Sequence, residues 1–222
     1  MIRAAIFDLD GVLLDSMPIW KDLGVRYILK QGQQPIDGMS ETLFAMSMEQ
    51  GAAWLKKNFA LPQSEAEIIK DMEAMLQQFY FEEVQAKPGA KALLEKLLHS
   101  GIRMAAATSS PRPHVTRALE RNGLLSYMEA IYTTGEIGES KHSPLIYDTA
   151  AKLLSAKPEE TLVFEDSLYA LKTAKKAGYH TVGVYDADGE SRQDLLKETA
   201  DIYCTDFTQL LSLRTDRKIK IQ

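Results

Sequence analysis

The chain has 222 residues and a formal net charge of −5, and 45% of its residues are hydrophobic. That apolar fraction supports a packed core, which excludes wholesale disorder, and the length suits one large domain or a core domain with a smaller one. The negative charge argues against a nucleic-acid-binding protein, because such proteins carry a basic surface. An anionic ligand must therefore be attracted by local cations and not by the charge of the whole molecule.

Cysteine content and apolar run length indicate the compartment. Cys204 is the only cysteine, which excludes an internal disulfide and a cysteine zinc site, and we interpret it as a small apolar filler. Asp8 and Asp10 interrupt the N-terminal apolar run before it reaches the length of a signal peptide. No apolar run approaches the ~20 residues of a membrane span. We therefore expect a cytoplasmic protein that binds neither membrane nor nucleic acid. The oligomeric state stays open, with a monomer as the simplest case.

The first element is an apolar strand at residues 2–7 that ends in two acids, Asp8 and Asp10, followed by Gly11. Side chains alternate along extended backbone, so the two carboxylates lie on the same side. Unpaired buried charges are costly, and two like charges on one side repel unless a cation or a proton lies between them. The pair therefore predicts a bound cation, and Mg²⁺ is expected because it prefers carboxylate and phosphate oxygens.

A helical segment follows this strand. Apolar residues at helical spacing predict helices at 16–30, 43–55 and 68–80. Ser64 and Glu67 form a capping-box pattern ahead of the third helix. Because no strand pattern interrupts residues 16–81, we predict that they form an inserted all-helical cap domain. Residues 1–15 and 82–222 then form the catalytic core domain.

From Pro88 onward, strands and helices alternate. The predicted strands are 102–107, 130–132, 161–164, 180–184 and 200–204, and the predicted helices are 88–100, 111–122, 143–154, 167–177 and 207–213, followed by a frayed polar tail at 214–222. This alternation predicts an α/β fold with a Rossmann-like, doubly wound and mostly parallel sheet. Right-handed crossovers place the carboxyl ends of all strands at one edge, where ligands bind.

Polar residues close three of the predicted strands and should meet at that edge. They are Asp8 and Asp10, Thr108 and Ser109, and Glu165 and Asp166. The four carboxylates would repel a phosphate dianion. One Mg²⁺ together with Lys141 would bring the charge close to balance, so a metal ion is essentially required.

These residues resemble the four motifs of the haloacid dehalogenase superfamily. The matching segments are Phe7-Asp8-Leu9-Asp10-Gly11-Val12-Leu13, Thr108-Ser109, Lys141 with Pro144 and Tyr147, and Phe164-Glu165-Asp166-Ser167. Within the superfamily, the chain is similar to the branch of small phosphatases and beta-phosphoglucomutase-like enzymes. That branch carries a helical cap between the first motif and the second strand, where the helical segment falls here.

The resemblance implies a role for each motif residue. Asp8 is the nucleophile that forms an aspartyl-phosphate, and Asp10 protonates the leaving oxygen and then takes a proton from water. Thr108 hydrogen-bonds a phosphoryl oxygen, and Ser109 lies in the segment expected to contact substrate. Lys141 pairs with Asp8 and with the phosphoryl group.

The resemblance also implies the metal ligands. The Asp8 side chain, the Asp10 backbone carbonyl and Asp166 hold Mg²⁺, and Glu165 supports it directly or through water. The second acid, Asp10, favours phosphoryl transfer, because a halide leaving group needs no proton. Two positions depart from the family pattern: His142 replaces the proline that follows the lysine, and Ala170 replaces a glycine.

Three functions are compatible with these motifs. The first is an Mg²⁺-dependent phosphatase acting on a small phosphorylated metabolite. The second is a sugar-phosphate mutase like beta-phosphoglucomutase. The mutases carry a histidine early in the cap, where this chain has Met17-Pro18-Ile19-Trp20, which favours the phosphatase. The third is a non-catalytic binding module, which should have lost a catalytic acid, and none is missing.

Overall fold

The computed structural model describes residues 1–212, so the predicted polar tail at 214–222 lies outside the described part of the chain. The chain divides into two compact units. One comprises Met1–Asp15 and the chain from Val84 onward, and the other is Ser16–Glu83. The first unit contains a β-sheet, and the second contains helices only. Among the described helices, none has both the length and the apolar character that crossing a membrane requires.

Within the described residues, the first unit holds one six-stranded sheet in the order β3-β2-β1-β4-β5-β6, and its paired strands are parallel. The strands are β1 (Ala4–Phe7), β2 (Arg103–Thr108), β3 (Ile131–Thr133), β4 (Thr161–Glu165), β5 (His180–Val184) and β6 (Ile202–Cys204). The predicted doubly wound α/β fold is confirmed. The strand order reverses at β1 and β4, which is where such sheets bind ligands.

The second unit consists of α1 (Met17–Lys30), α2 (Met39–Phe44), α3 (Met48–Phe59), α4 (Glu65–Gln78) and a π-helical turn at Phe79–Glu83. The capping box predicted at Ser64 is confirmed, because its hydroxyl accepts the Glu67 N–H and the Glu67 carboxylate accepts the Ser64 N–H. The single helix predicted at 43–55 is wrong. Ser47 and Gln50 form a second capping box there, and it starts a new helix.

The helices of the first unit are α5 (Ala90–His99), α6 (Arg112–Arg121), α7 (Thr134–Ile137), α8 (Leu145–Leu153), α9 (Leu168–Lys176) and α10 (Gln193–Thr199), with a 3₁₀ helix at Phe207–Ser212. The sequence did not predict α7 or α10, because both are short and α10 buries only Leu196, which leaves no apolar stripe. Pro88 precedes α5 and is not part of it, since Gly89 is the N-cap at φ 79°.

The core around β1 positions the site. Every residue of β1 is fully buried. Phe7 on β1 stacks on Phe164 on β4, with ring centroids 4.3 Å apart. Burial of each large apolar side chain contributes about 1.5–3 kcal/mol, so the two strands are firmly held together. Asp8 and Glu165, which directly follow Phe7 and Phe164, are therefore attached to a firmly packed part of the sheet.

Candidate active site

Asp8 lies directly after β1, at the point where the sheet reverses. Its backbone N–H donates to the Phe164 carbonyl at 2.9 Å, so the β1–β4 hydrogen bonding continues into this residue. Glu165 is the last residue of β4 and is fully buried, and Asp166 follows it with 5% exposure. The strand ends thus bring together the first and fourth motifs that the sequence singled out.

Lys141 lies in the turn between α7 and α8 and is only 2% exposed. Its Nζ is 2.8 Å from Asp8 Oδ1 and 2.7 Å from Glu165 Oε1. A lysine is almost never buried without a partner, and here one ammonium bridges two carboxylates. The Leu9 N–H also donates to Asp8 Oδ1 at 2.8 Å. Because both donors meet Oδ1, the other oxygen of Asp8 carries neither of these contacts.

The hydroxyl of Tyr147 on α8 adds a third polar contact to the cluster, donating to Glu165 Oε1 at 2.8 Å. Glu165 Oε1 therefore accepts from both Lys141 and Tyr147. The other oxygen, Oε2, is buried and has no hydrogen-bond partner among the residues described. A buried carboxylate oxygen without a partner is costly, so an ion or a water molecule beside Oε2 would be stabilising.

Asp8, Glu165 and Asp166 each offer an oxygen, and these three atoms lie within 4.8 Å of one another. When all three carboxylates are ionised, they and the Lys141 ammonium leave two negative charges, which one divalent cation would neutralise. Oxygen-only donors suit a hard cation such as Mg²⁺. The buried cluster and the unpartnered Glu165 oxygen therefore fit a metal centre.

Burial and the neighbouring charges also shift the pKa values of the residues in this cluster. Burial raises the pKa of Asp8 well above its usual value, Lys141 opposes this shift, and Glu165 and Asp166 add to it. Burial and the neighbouring Glu165 raise the pKa of Asp166 to about 7. Burial alone would lower the pKa of Lys141, but Asp8 and Glu165 outweigh it and raise that pKa. The lysine is therefore held as an ammonium.

Asp10 is linked to the end of β2. The Ser110 hydroxyl donates to Asp10 Oδ2 at 2.5 Å, and the Ser110 N–H donates to the buried Thr108 Oγ1 at 3.1 Å. Ser109 is solvent-exposed, and its predicted contact with substrate stays a prediction. The sequence did not single out Ser110. The two successive serines offered a signal, because successive side chains can point in opposite directions and one of them could then face Asp10.

The two departures from the family pattern lie beside the site. His142 is exposed, and its ring is tilted by 31° against the ring of Tyr169 on α9, with centroids 4.5 Å apart. Ala170 is fully buried. The backbone at both positions accommodates these residues, since neither has a positive φ.

Comparison with known proteins assigns the chain to a family. Residues 5–184 match the sequence profile of the haloacid dehalogenase-like hydrolases. Hexitol phosphatase A of Escherichia coli is 30% identical over 82% of this chain and 82% of its own length. Beta-phosphoglucomutase of Bacillus subtilis is 28% identical over 90% of this chain and 92% of its own.

A solved structure from Thermotoga maritima, provisionally named a beta-phosphoglucomutase, superposes with a TM-score of 0.82. It is 25% identical and covers 91% of this chain and 94% of that one. The matched profile spans the three strand ends and the lysine that the site brings together. The predicted family and the predicted hydrolase class are confirmed: the chain belongs to the haloacid dehalogenase-like hydrolases.

Proposed function

We propose that the protein is an Mg²⁺-dependent phosphatase that hydrolyses a small phosphorylated metabolite through an aspartyl-phosphate on Asp8. The main support is the buried Lys141 ammonium, which lies within 2.8 Å of both Asp8 and Glu165. Phosphoryl transfer depends on positioning and on charge neutralisation, and this arrangement supplies both. The likeness to hexitol phosphatase A supports the substrate class.

The first half of the cycle transfers the phosphoryl group to the enzyme. The Asp8 carboxylate attacks phosphorus, and the bond from phosphorus to the ester oxygen breaks. Asp10 donates a proton to that departing oxygen, and the alcohol leaves. The hydrogen bond from Ser110 holds the Asp10 carboxyl group in place. Lys141 offsets negative charge as it develops on the phosphoryl oxygens.

The second half returns the enzyme to its starting state. Asp10 takes a proton from a water molecule, and the water oxygen attacks phosphorus. The bond between phosphorus and the Asp8 oxygen breaks, which releases inorganic phosphate and restores the carboxylate. Thr108 donates a hydrogen bond to a phosphoryl oxygen during both halves, and Ser109 is a proposed substrate contact.

The metal site follows from the same residues. The side chains of Asp8 and Asp166 and the backbone carbonyl of Asp10 would hold Mg²⁺, and Glu165 would contribute directly or through water. When bound, the ion supplies two positive charges that offset the charge on the phosphoryl oxygens. The buried oxygen Glu165 Oε2, which lacks a protein partner in the described chain, supports this assignment.

We assign substrate selection to the helical unit Ser16–Glu83, which we propose is a cap domain. A mutase must bind a second phosphate and therefore needs cations in its cap. Two of the cations of this unit make contacts within it. Arg26 pairs with Glu83 at 3.1 Å, and Lys56 donates to the Gln63 carbonyl at 2.7 Å. These two contacts engage Arg26 and Lys56, and the segment Met17-Pro18-Ile19-Trp20, which lacks the histidine that mutases carry early in the cap, favours the phosphatase.

The mutase remains the second candidate because of the likeness to beta-phosphoglucomutase over 92% of that relative's length. Phosphorus NMR distinguishes the two. Release of inorganic phosphate from glucose 1-phosphate in the presence of enzyme and Mg²⁺ would support the phosphatase. Conversion to glucose 6-phosphate without free phosphate would establish the mutase. A non-catalytic binding module is disfavoured because all four acids of the motifs are present.

Hydrolysis of an aryl phosphate tests the proposal directly, followed by a panel of phosphorylated metabolites to identify the substrate. We expect turnover with Mg²⁺ and its loss on chelation. Asp8→Asn should lower kcat by more than about 10³-fold, because the nucleophile is removed. Asp15→Asn is the matched control, since Asp15 is an exposed aspartate of the same unit. Unchanged turnover in Asp8→Asn would exclude Asp8 as the nucleophile.

A further inference from the structure

We propose that the loop of residues 186–190, which follows β5, positions the Asp166 carboxylate and thereby sets the metal affinity of the acidic cluster. This inference rests on the proposed metal site and goes beyond it, because the loop contains none of the proposed ligands. No motif in the sequence points to the loop. Its role follows from three sets of contacts: at Gly189, at Asp186 and at Glu190.

Gly189 is the point where the loop meets the metal site. A Cβ atom built at this position would lie 3.1 Å from Asp166 Oδ2 and 3.1 Å from Asp186 Cβ. Such distances are tighter than ordinary van der Waals contact. Gly189 is not among the glycines with positive φ, so its backbone conformation does not require glycine. The residue is needed for space, because the loop lies directly against the Asp166 carboxylate.

The first part of the loop is anchored by an ion pair. Lys87 Nζ is 2.6 Å from Asp186 Oδ2, and the Asp186 side chain is only 4% exposed. Lys87 also donates to the Tyr185 carbonyl at 2.9 Å. The amide of Gln193 on α10 donates to the carbonyls of Asp186 at 3.2 Å and Glu190 at 2.9 Å. The backbone is therefore held on both sides of Gly189.

The second part of the loop is tied to the helix that follows Asp166. Glu190 Oε2 accepts the N–H of Leu168, the first residue of α9, at 3.1 Å. The loop thus contacts both the carboxylate of Asp166 and the backbone just after it. Because the loop is held at both ends, an added methyl group at Gly189 displaces the Asp166 oxygen more readily than it displaces the loop.

Metal sites are sensitive to such displacements. Ligand geometry must be kept within about 0.5 Å, and loss of an outer contact typically costs about 10–100-fold in metal affinity or activity. We therefore expect Gly189→Ala to raise, by about 10-fold or more, the Mg²⁺ concentration at which the rise in melting temperature is half-maximal. Gly189→Ala requires no unfavourable φ, so any fall of the melting temperature in EDTA comes from the tight contact with Asp186 Cβ, and the Mg²⁺ midpoint is read relative to the EDTA baseline of each variant.

The experiment measures the rise in melting temperature across an Mg²⁺ titration of the full chain, with Mg²⁺-dependent aryl phosphate hydrolysis as a second readout. Gly135→Ala is the matched control, because Gly135 also lacks a positive φ and a Cβ there would come no closer than 4.0 Å to a neighbour. The control should behave as the wild type. A Gly189→Ala titration that superposes on both would overturn the inference.

Gln193→Ala provides a second variant if Gly189→Ala does not fold. It removes the two hydrogen bonds to loop carbonyls and leaves Asp166 itself unchanged, so the Mg²⁺ midpoint should again rise. An unchanged midpoint counts against the loop, as does a wild type that Mg²⁺ does not stabilise. A wild type that binds Mg²⁺ but hydrolyses no phosphate ester refutes the proposed function, and the melting readout still tests the loop.

Discussion

Replacing Lys141 by methionine tests whether one buried ammonium holds the site together. Methionine is similar in volume and removes the charge. In the structure this charge lies 2.8 Å from Asp8 Oδ1 and 2.7 Å from Glu165 Oε1, with the lysine 2% exposed. Without it, three neighbouring buried carboxylates lose their cation. The substitution should therefore destabilise the metal-free protein and slow turnover.

The size of the effect follows from the burial of the pair. Removing one partner of a buried ion pair costs about 3–5 kcal/mol. In a protein of this length each kcal/mol lowers Tm by about 2–4 °C, so Lys141→Met should melt about 6–20 °C below the wild type in EDTA. Saturating Mg²⁺ should reduce the deficit, because the ion stabilises the folded state by binding it. Loss of the charge should also lower kcat by about 10²–10³-fold.

The sign of the pH dependence follows from the carboxylates. Burial already raises the pKa of Asp8, and loss of Lys141 removes the group that opposes this shift. A folded-state pKa above the unfolded value of about 3.9 gives stability that is present at low pH and is lost as the pH rises. Burial and the neighbouring Glu165 raise the pKa of Asp166 to about 7 in the intact cluster. The deficit of Lys141→Met should therefore be larger at about pH 8 than at about pH 5.

Thermal unfolding followed by circular dichroism, in EDTA at both pH values, measures this prediction. Lys152→Met is the matched control, because Lys152 is an exposed lysine on α8 and the chemical change is the same. The control should melt within a few degrees of the wild type. Equal melting of the two variants at about pH 8, or a deficit that grows toward low pH, would refute the electrostatic reasoning.

Three further predictions are independent of Lys141. Asp10→Ala should slow both formation and hydrolysis of the phosphoenzyme by about 10²–10⁴-fold in rapid-quench experiments, and normal rates would exclude its acid–base role. Ser64→Ala should lower the free energy of unfolding in urea by about 0.5–2 kcal/mol, since it removes the cap of α4; no change would show that the cap is dispensable. Burial raises the pKa of Cys204 to about 12, so its thiol should resist a disulfide reagent at about pH 8 until the protein unfolds. The thiol of the unfolded chain has a pKa of about 8.5, so its contribution to stability should be lost as the pH rises from there toward about 12, and prompt reaction of the native thiol would contradict its burial.

Local patterns in the sequence were sufficient for the elements that carry the site. The apolar runs before Asp8 and Glu165 predicted β1 and β4, because a strand buried on both faces is continuously apolar. Helices between the strands predicted a parallel sheet, and a parallel sheet brings strand ends together. The capping box at Ser64 was recognisable because all of its hydrogen bonds lie within four residues.

Contacts between distant residues needed the folded chain. Lys141 lies in a turn, and only packing shows that it is buried between two strand ends. The sequence predicted Ser109 as a substrate contact, which stays a prediction, and gave no indication that the Ser110 hydroxyl reaches Asp10, because side-chain direction after a strand depends on the loop. The approach of Gly189 to Asp166 had no sequence signal at all.

The sequence by itself determined which residues could form strands, helices and caps, because periodicity and capping act over a few neighbours. It also determined the chemistry available, since acids, a hydroxyl and a lysine recur at strand ends and turns. Tertiary structure alone decided which of these groups are desolvated and which atoms meet. Desolvation and pairing depend on packing between residues of different elements, such as Asp8 and Lys141, and no local pattern encodes them.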